Sequence, residues 1–455
     1  MKLRRSFWYG YHLDAHNSLV GIRETADGGQ HCFGSDQEVE AWIHGGINSS
    51  KKQRRKQIRL FAYPGQSNMT GRRLPLVWPA QIRASPHTSD VFTLLDAAAL
   101  ATTSPLDLSD PTQAPDFTCL SFYKIFGYPD LGALIVRTAN PSLAPILSSR
   151  RYFGGGTVDM VTCPLSSTNP TTAPFHAKKQ SPSSPHTHLE DGTLPFHSIL
   201  TLAAALSAHA RLYTSMRHIR AHTSTLTTYL HASLAALRHP STNSPLLTIY
   251  DDDDDDTTAY GSDPARQGPM LAFNVLAPDG ATVVPPARVE RAADAAGVFV
   301  RSGSLCNPGG AARLLGWSAA ELRRLHERDG LRCGGETAEE EAVTGGRPTG
   351  VVRVSLGASS VRADVDALVG FLREWAVDAD ADADADGEVV REVAAGLDGG
   401  GGGRGVGVGA GISGGSSAEI DGVEGEKIRK VGKKRVLGLF SACYRGGKAE
   451  VSGKR

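Results

Sequence analysis

Short apolar segments of strand length alternate with segments of helical periodicity through much of this chain. Residues 91–95 and 131–136 are apolar runs bounded by polar residues, and residues 197–238 carry a long helical pattern. Such alternation is typical of domains in which helices cover the faces of a parallel sheet. We therefore predict an α/β fold with a mostly parallel sheet.

The charge balance argues against electrostatic attraction to nucleic acid or to an anionic membrane. Lys plus Arg and Asp plus Glu each total 48 in 455 residues, so the formal net charge is zero. No run of 18 apolar residues occurs, and no membrane-spanning helix is predicted. The six cysteines include no CxxC pair, which suits a reducing compartment better than a disulfide framework. We expect a cytoplasmic protein whose partners are small molecules or proteins.

Segments of biased composition interrupt the α/β pattern. They are a basic stretch, an insertion rich in Ser, Thr and Pro, a run of aspartates and a low-complexity tail, at residues 48–59, 164–188, 251–256 and 377–455. We predict that the insertion and the tail are disordered, because neither has the composition of a packed core. The resulting organisation is a large domain over residues 1–238, a small domain over residues 239–376 and the tail.

None of these segments is assigned a metal site. The histidines of the insertion, His176, His186 and His188, are not accompanied by a recognisable ligand set. The aspartate run lacks the spaced ligands and the glycine turn of a calcium loop. A solvated loop is the preferred interpretation of the aspartate run.

The densest concentration of reactive residues begins where the strand-like run at residues 91–95 ends. Asp96 closes this run, and Lys124 lies between two later apolar runs. Ligands of open α/β sheets bind at the carboxyl ends of strands. A lysine there can condense with an aldehyde cofactor, and a carboxylate facing a pyridine nitrogen keeps that nitrogen protonated. A solvated surface lysine and a turn-capping aspartate are the alternative interpretations.

The motifs around these residues resemble those of one enzyme family. The strings FAYPGQSNMTGRR, TSPLDLS, SFYKIFGYP, YFGGGTVDM, LEDGTLPFHSI, RSGSLCNPGG and VVRVSLG occur in family order between about Tyr11 and Trp375. The chain thus resembles the class V aminotransferases of cysteine-desulfurase type, which use pyridoxal 5'-phosphate, and within them the molybdenum cofactor sulfurases. The resemblance implies the aspartate-aminotransferase fold type, with a large mostly parallel-sheet domain and a smaller α+β domain, in a homodimer.

The resemblance assigns roles to residues around the cofactor ring. Lys124 resembles the lysine that attaches the cofactor covalently, and Asp96 resembles the partner of its pyridine nitrogen. Both assignments agree with the roles inferred from the residues themselves. His16 resembles the histidine that stacks on the ring, where an imidazole can also move protons. Taken alone, His16 also fits a structural histidine.

Three further polar residues resemble cofactor ligands. Asn68 matches the residue that hydrogen-bonds the phenolic oxygen of the cofactor. Ser121 and Thr193 match phosphate ligands, with Thr193 reaching across from a second subunit. Because Ser and Thr hydroxyls are common caps, a capping role is the alternative for these two residues.

Cys306 resembles the cysteine that takes sulfur from the substrate L-cysteine as a persulfide, with release of alanine. It lies among small and turn-forming residues, which predict an exposed mobile loop. Two further cysteines that are usual in the molybdenum cofactor subfamily are replaced by Ser304 and Gly310. Arg353 resembles the arginine that binds the substrate carboxylate, a task suited to a bidentate guanidinium. Buried, inert thiols are expected for Cys32, Cys119 and Cys163.

The resemblance implies a pyridoxal-phosphate-dependent cysteine desulfurase that supplies sulfur to the molybdenum cofactor of molybdenum hydroxylases. A different class V transaminase, lyase or general desulfurase is one alternative. A truncated, non-catalytic paralogue that dimerises with an intact copy is another. It is prompted by the phosphate-cradling glycine and threonine loop and the C-terminal molybdenum-cofactor domain of the family, which have no counterpart in this sequence. The tail is open to interpretation as a linker remnant, an electrostatic docking arm or translated non-coding sequence.

Overall fold

We describe the protein from a computed structural model. The structure describes residues 6–46, 57–150, 152–163, 174–179, 186–251, 260–332, 343–344 and 347–377. Most of the basic stretch, most of the aspartate run and the tail beyond residue 377 lie outside these ranges, so the predictions made for them remain predictions.

The first sheet has six strands, which are β1 (Ser6–His12), β2 (Gln30–Phe33), β3 (Gln57–Pro64), β4 (Val91–Asp96), β5 (Phe117–Ser121) and β6 (Gly132–Val136). Their order is β2-β1-β3-β4-β5-β6. All neighbouring pairs are parallel except β5 and β6, which are antiparallel. This confirms the predicted mostly parallel sheet.

Short helices follow the strands of this sheet. They are α1 (Asn17–Val20), α2 (Asp36–Ile43), α3 (Trp78–Ala84), α4 (Phe122–Phe126) and α5 (Leu143–Ser148), with 3₁₀ turns at Gly21–Thr25 and Leu100–Thr102. Helix α2 begins where the Ser35 hydroxyl accepts a hydrogen bond from Glu38 N, and acidic side chains occupy its first turn. Its apolar face packs with β3 and α3 in an aromatic core that includes Trp42, Phe61 and Trp78.

The segment that follows α5 leaves much apolar surface exposed. Strands β7 (Val158–Val161) and β8 (His176–Lys178) form an antiparallel pair, and helix α6 (Phe196–Tyr213) has no buried residue. Residues 176–178 of the predicted disordered insertion are therefore in a strand, whereas residues 164–173 and 180–185 lie outside the described ranges.

The second sheet is antiparallel and has the order β11-β14-β10-β9. Its strands are β9 (Leu247–Tyr250), β10 (Met270–Val275), β11 (Arg301–Gly303) and β14 (Val351–Ser355), while β12 (Val343–Thr344) and β13 (Arg347–Pro348) form a separate pair. The helices of this part are α8 (Pro286–Ala295), α9 (Pro308–Leu314), α10 (Ala319–Arg328) and a last helix over residues 362–377. An antiparallel sheet with helices agrees with the smaller α+β domain implied by the family resemblance.

The long helical pattern of residues 197–238 forms two helices rather than one. Helix α6 ends at Tyr213, because the next residue, Thr214, has a φ of 63°, and α7 (Met216–Ala235) follows. The leucines that α7 buries at four-residue spacing, Leu226, Leu230 and Leu234, belong to the core of the second sheet. The predicted boundary at residue 238 thus places α7 in the first domain, whereas its packing places it in the second.

Within the described ranges, no helix is both long enough and apolar enough to cross a membrane.

Candidate active site

The polar residues of interest gather at the carboxyl edge of the first sheet. Strand β4 ends at Asp96, and β5 ends at Ser121 just before Lys124. Strand β1 leads into His16, and β3 leads into Asn68. Because parallel strands present their carboxyl ends at the same edge, these residues from distant parts of the chain converge.

A cavity of about 290 Å³ lies at this edge. Of the predicted site residues, His16, Asn68, Asp96 and Lys124 line it. The remaining lining residues are Ser18, Leu19, Ile22, Pro64, Gln66, Leu94, Ala98, Ala99 and Cys119. The tertiary structure therefore brings the predicted ring-binding residues together in one concave, mixed polar and apolar site, as is usual for small-molecule sites.

Lys124 is presented to the cavity by the short helix α4. Ser121 caps this helix, its hydroxyl accepting a hydrogen bond from Lys124 N at 3.4 Å, and Gly127 ends it with a φ of 77°. The Lys124 side chain is exposed, and Ser121 is not among the residues that line the cavity. In this structure Ser121 acts as a helix cap, and its predicted phosphate contact remains a prediction.

Asp96 is oriented by the turn that follows β4. One carboxylate oxygen accepts a hydrogen bond from Ala98 N at 2.9 Å, and Asp96 lies opposite Cys119 in the β4–β5 register. Burial raises the pKa of the Cys119 thiol to about 11, and the negative charge of Asp96 contributes in the same direction.

The contacts and surroundings of His16 favour its neutral imidazole form. Its Nδ1 accepts a hydrogen bond from Ser18 N at 3.1 Å, which leaves Nε2 as the protonated ring nitrogen. Burial lowers the pKa of His16, the positive charge of Lys124 lowers it further, and Asp96 partly opposes both effects. His16, Lys124 and Asp96 thus form one electrostatically coupled group.

Asn68 connects the cavity to the loop that carries Cys306. Its Nδ2 donates to Leu305 O at 2.7 Å, and its Oδ1 accepts from Asn307 Nδ2 at 3.1 Å. The backbone of Asn68 is also held, because Arg353 Nη1 donates to Asn68 O at 2.6 Å.

Cys306 lies between β11 and α9, on the second sheet's side of the site. The thiol residue is half-buried, in contrast to the exposed loop that we predicted. Cys306 O accepts a hydrogen bond from Asn17 N at 2.8 Å, directly beside His16. Leu305 and Cys306 have φ values of 54° and 55°, a region that side chains other than glycine rarely adopt.

Two predicted ligands lie apart from the cavity wall. Arg353 is buried in β14, 8% exposed; its Nη1 donates to Asn68 O, and it is not among the residues that line the cavity. Thr193 is exposed before α6, so its proposed reach into a second subunit stays a prediction.

The expectation of burial was wrong for the three other cysteines, whereas their expected inertness stays a prediction. Cys32 lies exposed on β2, the edge strand of the first sheet, and Cys163 is exposed beyond β7. Cys119 is half-buried and lines the cavity. A cysteine in an apolar run gives no local sign that its strand position faces a ligand site.

Sequence reasoning also missed Ser18 and Gln66 as lining residues. Gln66 is 1% exposed and accepts a hydrogen bond from Arg73 Nε at 3.0 Å. Both lie within two residues of an assigned one, His16 and Asn68, so proximity along the chain was the available signal. In the described ranges no group of His, Cys, Asp and Glu side chains is arranged to hold a metal ion.

Known proteins with similar sequences point to one family. Residues 39–368 match the Aminotransferase class-V family. A molybdenum cofactor sulfurase of Aspergillus terreus is 51% identical over 373 residues, and one of Aspergillus clavatus is 48% identical over 380 residues. The first match covers 82% of this chain and the second 83%, but each covers only 42% of the relative. The chain therefore spans about two fifths of the length of the curated relatives that it matches.

Solved structures show the same fold. A cysteine desulfurase of Escherichia coli superposes with a TM-score of 0.54 at 18% identity, covering 83% of this chain and 73% of that chain. An apo cysteine desulfurase of Thermococcus onnurineus gives 0.55 at 17% identity, covering 83% and 74%. These likenesses confirm the predicted fold class.

Proposed function

Because this chain belongs to the class-V aminotransferase family, we propose that it is a pyridoxal-phosphate-dependent cysteine desulfurase. The observation that carries the proposal is the cavity at the carboxyl edge of the first sheet. Lys124, Asp96 and His16 line it, and the loop of Cys306 is hydrogen-bonded to its rim at Asn68 and Asn17.

The residues present suit the ring of pyridoxal phosphate. The cavity wall supplies a primary amine, a carboxylate, an imidazole and a carboxamide, together with apolar side chains from Leu19 and Leu94. Lys124 would hold the aldehyde carbon, Asp96 the pyridine nitrogen and Asn68 the phenolic oxygen. When bound, the cofactor withdraws electrons from the substrate and so weakens the bonds at its α carbon.

The side chains divide the remaining work. Asp96, at the end of β4, would keep the cofactor's pyridine nitrogen protonated. His16 is neutral near pH 7 because of the lowered pKa, and its Nε2 proton is available for hydrogen bonding or transfer. Lys124 Nζ would be the amine that takes the substrate's α proton and returns it.

Cys306 is the proposed sulfur acceptor. Its thiolate attacks the sulfur of L-cysteine, a new S–S bond forms, and the Cβ–S bond of the substrate breaks. The electron pair of the broken bond ends on carbon, which takes up a proton to give alanine. The net change converts L-cysteine and the Cys306 thiol into alanine and the Cys306 persulfide, with no external oxidant or reductant.

The names of the relatives support a destination for the sulfur. Both Aspergillus proteins are molybdenum cofactor sulfurases. We therefore propose that the persulfide supplies sulfur to the molybdenum cofactor of molybdenum hydroxylases.

The exposed leucines of α6, Leu200, Leu206 and Leu212, support the proposed homodimer. The four cysteines that the structure describes are free thiols, which supports the reducing cytoplasm as its location.

The first test is the visible absorption spectrum of the purified chain after addition of pyridoxal phosphate. We expect a visible band that is absent from Lys124→Ala, because the covalent link requires the Lys124 amine. A folded wild-type chain without a lysine-dependent band would refute the proposal.

Replacement of Cys306 separates desulfuration from transamination. In Cys306→Ala the lysine-dependent band should persist, whereas release of alanine from L-cysteine should be lost. Retention of full alanine release would contradict Cys306 as the sulfur acceptor, whereas a keto acid product in place of alanine would favour another class V activity.

A further inference from the structure

Asn307 is buried between the two sheets of the molecule. It is 0% exposed and caps α9, its Oδ1 accepting a hydrogen bond from Gly310 N at 2.9 Å. A cap needs only this acceptor. The amide nitrogen of Asn307 therefore has a separate structural task.

That nitrogen faces acceptors from the first domain. Asn307 Nδ2 lies 2.6 Å from Asp14 Oδ1, 3.2 Å from Asp14 O and 3.1 Å from Asn68 Oδ1. Asp14 is 2% exposed, and Ser67 Oγ donates to the same carboxylate oxygen at 3.0 Å. A hydrogen bond between a buried amide and a carboxylate is stronger than one between neutral groups.

The two residues before Asn307 are tied to the same region. Asn68 Nδ2 donates to Leu305 O, and Asn17 N donates to Cys306 O. The positive φ values at Leu305 and Cys306 cost free energy, so this loop shape persists only when surrounding contacts impose it.

We propose that Asn307 is a positioning residue. Its hydrogen bonds to Asp14 and Asn68, here called the latch, hold the Cys306 loop, which joins β11 to α9, against the rim of the cofactor cavity. The proposal rests on the proposed function for its consequence, which is that the latch holds the Cys306 thiol where it can reach the substrate sulfur. The latch itself is a property of the folded chain and can be tested without turnover.

Asn307→Ser isolates the latch from the helix cap. Serine is as good a cap as asparagine, so its hydroxyl replaces the acceptor for Gly310 N, but it is too short to donate to both Asp14 and Asn68. We expect alkylation of Cys306 by iodoacetamide, measured by peptide mass spectrometry, to become at least about tenfold faster. The loop becomes more accessible because it loses two buried hydrogen bonds.

Internal controls distinguish release of the loop from general loosening. The rate at Cys119, which lines the cavity from β5, should stay at its wild-type value. Ser318→Ala removes the cap of a neighbouring helix, α10, and should leave the Cys306 rate unchanged. Unaltered alkylation of Cys306 in folded Asn307→Ser would overturn the proposal, as would equal acceleration at Cys119.

Asn68→Ala provides a second variant in case Asn307→Ser does not fold. It removes the donor to Leu305 O and the acceptor of Asn307 Nδ2, so it should also accelerate alkylation of Cys306. Because both side chains act in one network, the double variant should gain less than the product of the two single effects. An unchanged Cys306 rate in Asn68→Ala would contradict the latch.

Turnover then tests the consequence. Asn307→Ser should keep the lysine-dependent absorption band and the KM for L-cysteine, while kcat for alanine release falls about tenfold or more. Faster alkylation with no turnover in either protein would leave the latch intact and refute the desulfurase. Faster alkylation with unchanged kcat would overturn the positioning role.

Discussion

The Cys119 thiol, although it lines the cavity, should be a poor nucleophile. Its pKa is raised from 9.0 to about 11, first by burial and then by Asp96. At pH 8 a thiol of pKa 9.0 is about 9% thiolate, whereas one of pKa 11 is about 0.1% thiolate, a difference of about 100-fold. The more basic thiolate is intrinsically more reactive, which offsets about tenfold of this difference. Cys119 should therefore react about tenfold more slowly than an ordinary thiol, before any steric protection.

The assay is a time course with iodoacetamide between pH 7 and pH 10, with peptides of Cys119 and of the exposed Cys163 quantified by mass spectrometry. Since the raised pKa keeps the thiol protonated, the Cys119 rate should rise about tenfold for each pH unit through this range. Asp96→Asn removes one cause of the raised pKa and should accelerate the reaction. Asp130→Asn, at an exposed position, is the matched control. A Cys119 rate equal to that of Cys163, or a plateau below pH 9, would refute this reasoning.

Two other predictions concern charged residues. Burial alone would raise the pKa of Asp36, but hydrogen bonds and charge from His12 and Arg72 lower it from 3.8 to about 2. The contacts of Asp36 with His12 and Arg72 therefore contribute about 2 kcal/mol of stability above pH 4, and this contribution is lost as the pH falls toward 2. Asp36→Asn should lower the free energy of unfolding in urea at pH 7 by up to that amount and flatten its dependence on pH between 4 and 2; an unchanged acid slope would contradict the assignment. Lys124→Gln removes a positive charge that lowers the pKa of His16, so the pKa of this imidazole should rise toward its ordinary value. NMR titration of His16 measures the change, and identical titration curves in the wild type and the variant would exclude the coupling.

Much of the site could be predicted from the sequence because the relevant signals are local. Asp96 and Lys124 lie next to apolar runs, and the ends of parallel strands meet at one edge whatever the details of packing. The apolar runs next to Asp96 and Lys124 predicted this edge, whereas His16 and Asn68 were assigned through the family resemblance, and all four residues line the cavity. For the same reason the sequence predicted the parallel sheet, since burial on both faces leaves apolar runs of strand length.

Other features of the site follow only from the tertiary structure, because they depend on contacts between residues that are distant along the chain. The periodicity of residues 216–235 predicts a helix with one apolar face, but the same leucine pattern suits either core, and only packing assigns α7 to the second sheet. The hydrogen bonds from Asn307 to Asp14 join residues 293 positions apart, and no local pattern marks either as the other's partner. The half-buried position of Cys306 and the cavity-facing position of Cys119 likewise follow from which surfaces meet. Local sequence patterns thus determine the helices, the strands and the candidate reactive residues. The contacts between the two sheets determine how the Cys306 loop is held against the cavity.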